Sequence, residues 1–390
     1  MGRQTIRLVT AVLVVTIVAV VATTVVTSAA NAGGGNSQPV VTSLTMRAPT
    51  AYTPKAPPGA TDDYHCTLLN PHLKKNAFIV SSLFKPNSPE VHHTVVFVVP
   101  PSLAAEAQAA NQGGKGWTCF GESALQGNGF TGQFAAAPQL TVWAPGHGED
   151  VEPAGTGMPF LAGSLLVTQE HYNLLVGDRP VRSSFQINMV PATTRLRPLI
   201  LQQLPAPPDI PCPTGSTGPM CSRSAELASV GQRFGALQEA FVSTLETICG
   251  RNPLDPPVGD STSCVWPVTK AGLVVRTVAH MHLLGRALKI VLNQGTPSQK
   301  TLLDVENYNF HYQRAYNLAK PVLVVPGDNI TVTCTYDPTL ELETPILRRV
   351  PPHFVTWGDG STDEMCLGTV ITEPIKSVPE SVALAQAFSQ

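Results

Sequence analysis

Charge is scarce in this 390-residue chain: 13% of it is Asp, Glu, Lys or Arg, with 25 basic against 27 acidic side chains and a formal net charge of −2. No basic block occurs anywhere, so the electrostatic footprint of a nucleic-acid binder is missing and such a partner is excluded. None of the eight cysteines forms a C-x-x-C pair, which leaves a zinc ribbon or a thioredoxin-type motif without support. G-x-S-x-G, H-E-x-x-H and Gly-rich phosphate loops are also lacking, so hydrolase and nucleotide readings have no residues to rest on. No repeat recurs at a period of roughly 20–50 residues. With 43% hydrophobic residues, disorder is excluded as well, and the length suits two domains.

What the chain does have is punctuation. Its 36 prolines and 31 glycines separate short Val-, Leu- and Thr-rich runs, the pattern of many brief strands joined by turns. Phe78–Val80, Thr94–Val99, Gln139–Trp143, Leu165–Val167 and Phe185–Val190 form a first set of predicted strands. A second set runs from Leu273–Leu284 through Ala287–Leu292, Thr301–Val305, Pro321–Val325, Ile330–Tyr336 and Phe354–Trp357 to Leu367–Ile371. Between the sets, Leu204–Pro213 is Pro-rich. There Leu227, Val230, Phe234, Leu237, Phe241, Leu245 and Ile248 recur every three or four residues, predicting one amphipathic helix over Ser224–Cys249. The expected fold is all-β: two tandem antiparallel β-sandwich domains with a helical insertion between them. Expected boundaries are 33–63 for a Gly/Pro/Thr-rich lead-in, 64–195 for the first domain, 196–263 for the linker and insertion, 264–375 for the second domain and 376–390 for a tail.

Arg3 and Arg7 precede an apolar stretch from Leu8 to Val26, and Ala30-Asn31-Ala32 follows it. That order is the one of a secretory signal, predicting a leader over residues 1–32; the alternative is a retained anchor at 8–26. Either way the remainder is expected outside the cytoplasm, secreted or membrane-tethered, where eight cysteines read as disulfides.

Several groups could carry chemistry. His280-Met281-His282 lies in a β-branched run, and residues i and i+2 of a strand share a face about 6.5–7 Å apart, close enough for two imidazoles to meet on one metal. His92-His93 opens a strand; neighbours there point to opposite faces, so both reach one metal only across a bulge. For each pair the competing reading is histidines on an ordinary sheet face. His171 follows Gln169-Glu170 in another strand-like run. Asp363-Glu364-Met365-Cys366 ends a turn-rich loop, where methionine is more commonly core filler.

Taken together and in this order, His92-His93, Gln169-x-His171, His280-x-His282-x-x-Gly285 and Asp363-Glu364-Met365-Cys366 resemble the copper type II, ascorbate-dependent monooxygenases, the family of peptidylglycine α-hydroxylating and dopamine β-monooxygenases. Asp304–Gln313 and Trp357–Cys366 are also similar. The resemblance runs over roughly Met46 to Ile371 without the Ala206–Ser263 insertion. It implies jelly-roll-like domains and two well-separated copper ions, one held by His92, His93 and His171, the other by His280, His282 and Met365. Thioether sulfur prefers Cu(I), which gives Met365 a reason to be there. It further implies O₂ and ascorbate as co-reactants in hydroxylating an aliphatic C–H of a small-molecule substrate, with His280, His282 and Met365 as the catalytic set. Disulfides Cys66–Cys119 and Cys334–Cys366 follow from the resemblance; by elimination and short separation, Cys212 would pair with Cys221 and Cys249 with Cys264.

The chain departs from the peptide-hydroxylating branch at Val278, Leu367 and Thr369, where that branch carries Arg, Asn and Tyr, and at Thr94, where well-known members carry Met. The pocket is therefore expected to be more apolar and to take a small amine, an aromatic ethylamine or an apolar metabolite. Arg276 shares a strand face with His280 and is a candidate substrate contact. The alternative function is a non-catalytic extracytoplasmic copper-binding protein on the same fold.

Overall fold

The computed structural model describes residues 24–25, 39–125 and 137–375. The leader expected at 1–32, apart from residues 24–25, and the tail at 376–390 lie outside the described residues.

In the N-terminal half the chain forms β1 (Thr42–Arg47), β2 (Asp62–Leu69), β3 (Ala77–Lys85), β4 (Val91–Val99), the short helix α1 (Ala104–Ala110), β5 (Gln139–Trp143), β6 (Thr156–Phe160), β7 (Leu165–Asn173) and β8 (Ser184–Pro191). One sheet contains the run β1-β8-β3-β6, and a second contains β2-β7-β4-β5, with antiparallel neighbours throughout these runs. Ile79, Phe185 and Ile187 of the first pack with Val96, Val98 and Leu166 of the second in one buried cluster. Strand β7 is buried along its whole length because β2 and β4 cover its two edges and other elements cover both faces, which explains its near-absence of polar alternation.

The C-terminal half contributes β9 (Ile200–Ala206), helices α2 (Arg223–Phe234) and α3 (Ala236–Ile248), then β10 (Ser261–Pro267), β11 (Gly272–His280), β12 (Gly285–Leu292), β13 (Lys300–Val305), β14 (Ala315–Val324), β15 (Asn329–Tyr336) and β16 (Cys366–Pro374). Its sheets run β9-β16-β11-β14 and β10-β15-β12-β13. Period-two burial is clear where one face is solvated: Ile330, Val332, Cys334 and Tyr336 of β15 point inward against Leu288, Ile290 and Leu292 of β12.

Two expectations change. Residues 200–206, assigned from their prolines to the linker, form a strand paired with Cys366–Thr372. They sit at a sheet edge, where Pro205 costs no ladder bond and its carbonyl accepts from Trp266 Nε1 at 2.9 Å. The single helix expected over Ser224–Cys249 is two. Gly235 between them has φ +97°, a conformation that breaks the hydrogen-bond ladder and that only glycine adopts without strain. Ser222 caps the first helix by accepting from the Ala225 amide.

Four disulfides link Cys66–Cys119, Cys212–Cys221, Cys249–Cys264 and Cys334–Cys366. No helix among the described residues is long and apolar enough to cross a membrane.

Candidate metal centre

The two halves meet along β2, β4 and β7 on one side and the turns after β11 and before β16 on the other. All five histidines singled out above converge there.

His171 sits in β7 directly opposite His93 in β4, while its neighbour Tyr172 is opposite Val91. His92 is therefore the extra residue of a β-bulge, and the bulge brings it to the same side as His93. Ligand atoms of His92, His93 and His171 lie within 4.8 Å of one another, all three residues being buried. His171 Nδ1 is 2.9 Å from His93 Nε2, and its Nε2 is 2.8 Å from Asp62 Oδ1. Tyr64 stacks on the His171 ring at 4.3 Å. Burial, then the neighbouring imidazoles, push His92 and His93 well below the ordinary histidine range, so both are neutral with lone pairs free. Both ring nitrogens of His92 and Nδ1 of His93 have no hydrogen-bond partner despite being buried.

His280 ends β11, and His282 lies just beyond it, outside the strand that the sequence pattern extends to Leu284. The ladder stops because Glu364 takes over the backbone: its carboxylate accepts from the amides of His282 at 2.8 Å, Leu284 at 2.7 Å and Met365 at 3.1 Å. The rings of His280 and His282 are nonetheless 5.2 Å apart. His280 Nδ1 is 2.6 Å from Gln313 Oε1, which assigns the ring proton to Nδ1 and leaves Nε2 for a ligand. His282 Nδ1 is 3.2 Å from the Asp363 carbonyl, and its Nε2 is buried without a partner. Burial lowers His280 to about 4 and His282 to about 3. Met365 lines the same cavity as His93 and His280, about 90 Å³ in volume.

The resemblance implies well-separated sites; here the rings of His93 and His280 are 5.6 Å apart. Buried polar bonds hold the halves at this distance. Tyr64 Oη donates to the Asp359 carbonyl at 2.6 Å, and Ser361 Oγ donates to Asp62 Oδ1 at 2.8 Å. Asp62 thus takes bonds from His171 of one half and Ser361 of the other; they outweigh burial and hold it down to about 2.

Arg276 is not on the cavity wall. A register shift between Val274 and Arg276 changes its direction. Its guanidinium, 2% exposed, reaches Asp150 Oδ1 at 3.0 Å, the Val151 carbonyl at 2.6 Å and Asn317 Oδ1 at 2.8 Å, all in the interface between the halves. Arg314 lines the cavity instead, together with Val278, Leu367 and Thr369.

A second buried group, Glu226, His353 and Asp363, has metal-like spacing. The cation there is already Arg233, which bonds both carboxylates.

Sequence reasoning missed Asp62, Tyr64, Gln313, Phe310 and Arg233. Phe310 stacks on His92 at 4.2 Å, and Tyr308 Oη bridges the amide and carbonyl of Met281. Phe310, Tyr308 and Gln313 lie in the Asp304–Gln313 stretch, which was noticed as similar without a role.

Among known proteins, the C-terminal domain of the copper type II ascorbate-dependent monooxygenases matches residues 258–371. DBH-like monooxygenase protein 1 of Gallus gallus is 30% identical over 118 residues, 30% of this chain and 17% of that protein. DBH-like monooxygenase protein 2 of Mus musculus is 36% identical over 90 residues, 23% of this chain and 13% of its own length. Tyramine beta-hydroxylase of Caenorhabditis briggsae is 27% identical over 118 residues, 30% of this chain and 18% of that one. The matched stretch thus spans less than a fifth of each relative. A solved allantoicase aligns over 79% of this chain and 80% of its own with 9% identity and a TM-score of 0.18, too low to bear on the fold.

Proposed function

We propose that the chain is a copper type II, ascorbate-dependent monooxygenase, the family whose C-terminal domain matches residues 258–371, and that it hydroxylates an aliphatic C–H of a small substrate, using O₂ and ascorbate with two copper ions. The observation that carries this reading is a set of buried imidazoles in which both ring nitrogens of His92, Nδ1 of His93 and Nε2 of His282 have no hydrogen-bond partner among the described residues. A buried polar atom left alone costs about 1–3 kcal/mol, and His93 borders the cavity that Met365 lines while the His92 and His282 rings stand beside those of His93 and His280. A metal ion would supply a partner for one nitrogen of each of these rings.

His92, His93 and His171 would hold one copper; His280, His282 and Met365 would hold the other. Bound copper supplies one-electron chemistry and the activation of O₂. The rest is the protein's work. Asp62 orients His171, Gln313 fixes the proton of His280 on Nδ1, and Glu364 holds the backbone of both His282 and Met365. The apolar side chains of Val278 and Leu367 keep bulk water from the reacting centre, and Thr369 is the small polar group beside them. Glu122 and Asp359, both pushed up to about 7 by burial, border the same cavity and suit a small amine with an apolar body. A peptide carboxylate would meet these acids and, of the peptide branch's anchors, none, with Arg314 the cation on that wall. Two jelly-roll-like sandwiches, a cleaved leader and an extracytoplasmic location complete the proposal; the four disulfides accord with export.

The test is to load the protein with copper, supply ascorbate and ¹⁸O₂, and offer a panel of small amines, apolar compounds and a glycine-extended peptide. One label in a small amine or apolar product is the expected outcome, and efficient labelling of the peptide overturns the substrate assignment. The small cavity between the two histidine sets favours the second reading, a copper-holding protein without turnover; copper bound at two sites with no labelled product would establish it.

A further inference from the structure

The helices inserted between β9 and β10 lie outside the stretch that matches the monooxygenase family, yet they reach the metal centre through one side chain. Arg233, next to last in α2, is 10% exposed. Its Nη1 donates to Asp363 Oδ2 at 2.7 Å and its Nη2 to Asp363 Oδ1 at 2.8 Å. Nη2 also donates to Glu226 Oε1 at 2.6 Å, and Nε to Ser229 Oγ at 3.0 Å. A planar guanidinium gripping both oxygens of a carboxylate fixes its orientation as well as its position, which an ammonium cannot do.

The loop is shaped around that grip. A Cβ at Gly358 would lie 2.6 Å from Asp363 Oδ2, and one at Gly360 would lie 2.7 Å from the same oxygen, so both positions must stay bare. The Gly360 amide donates to that oxygen at 2.9 Å. Asp363 is two residues before Met365, and its carbonyl faces His282 Nδ1. Behind the loop, Phe241, Val242 and Leu245 of α3 form a buried cluster with Trp357, against which Met365 packs. The same insertion touches the other half, since the Phe234 ring is 4.9 Å from that of Phe120. Disulfides Cys212–Cys221 and Cys249–Cys264 flank the two helices.

We propose that Arg233 is a positioning residue for the Met365 sulfur, so that the helical insertion sets the geometry of the C-terminal copper site; this rests on the copper reading above. Two neighbours of Met365 are already held from within the sheets, Glu364 by the backbone amides and Cys366 by its disulfide to Cys334. Arg233 holds the remaining point, gripping both oxygens of the loop's Asp363 from a helix of the insertion.

The full-length protein loaded with Cu(I) gives the test, with X-ray absorption reading the copper–sulfur shell and competition with a Cu(I) chelator reading affinity. Arg233→Met is expected to lose the sulfur shell and bind Cu(I) about 10–100-fold more weakly at the C-terminal site, while imidazole scattering from the other site persists. Arg233→Lys should recover part of the shell. Arg223→Met is the control: Arg223 is paired with Asp209 in the same insertion and makes no bond to Asp363, and its loss should leave the sulfur shell intact. Asp363→Asn keeps the side-chain shape and should reproduce the Arg233→Met spectrum, which serves where the latter folds poorly. A wild-type sulfur shell in folded Arg233→Met or Asp363→Asn overturns the proposal, as does equal loss in Arg223→Met. A wild-type protein with no copper–sulfur shell fails the copper reading itself, and is distinguished by appearing before any substitution is made.

Discussion

The two histidine sets are built in opposite ways. The N-terminal one is a product of strands: His171 and His93 face each other across a ladder, His92 joins them through a bulge, and Asp62 enters from the adjacent strand β2. The C-terminal one is assembled where strands end. His280 closes β11, His282 sits in the turn after it, and Met365 comes from a loop about eighty residues later, with Gln313, Glu364 and Arg233 supplying what the ladder does not. The first set is rigid because its backbone is; the second depends on side chains, each of which can be removed singly.

Glu364→Ala should therefore have the largest effect. It strips the acceptor from three buried amides, so a loss of about 3–5 kcal/mol in denaturant unfolding is expected, with copper stoichiometry falling from two to one. Asp62→Asn probes the other set. Because the strands still hold the histidines, the expected loss is affinity more than fold: about 10–100-fold weaker copper binding at the N-terminal site, with the smaller change at the C-terminal site, which Asp62 reaches only through Ser361. Equal weakening of both sites would mean that the ladder does not insulate one from the other.

Met365→Ile should be milder still for the fold, within about 1.5 kcal/mol, because bulk and apolarity are kept. Turnover should nonetheless stop, and retained wild-type turnover in the copper-loaded variant would remove methionine from the catalytic set. The smallest effect is expected at the interface between the halves. Burial raises Glu152 from 4.5 to about 7, against the pull of Arg276. A folded-state value above the unfolded one makes stability greatest below pH 4.5 and lets it fall as pH rises toward 7. Glu152→Gln should flatten that slope in unfolding curves taken at several pH values.

The same contrast explains what could be read from sequence. The candidate ligands were legible because imidazole pairs and a methionine in an acidic, cysteine-terminated loop are distinctive side chains in a fixed order. Strands were legible from short β-branched apolar runs bounded by Pro, Gly or Asn. Their supports were not, because no local pattern marks a contact such as that of Ser361 with Asp62, 299 residues apart, or Arg233 with Asp363, 130 apart. Arg276 was misplaced for a related reason: strand periodicity assumes an unbroken register, and the shift beside Val274 breaks it. The helix over Ser224–Cys249 kept its apolar period across Gly235, so the pattern ran on through a backbone that did not.

The bulge at His92 also bears on how such a centre is gained or lost. His171 already pairs with His93 and Tyr172 with Val91, so a chain lacking His92 would close the ladder smoothly and keep every hydrophobic residue of β4 on its present side. A single-codon deletion would then leave the sheet whole and reduce a three-imidazole cage to two. On the copper reading, that one residue separates a three-imidazole N-terminal set from a two-imidazole one, while the C-terminal set is left in place.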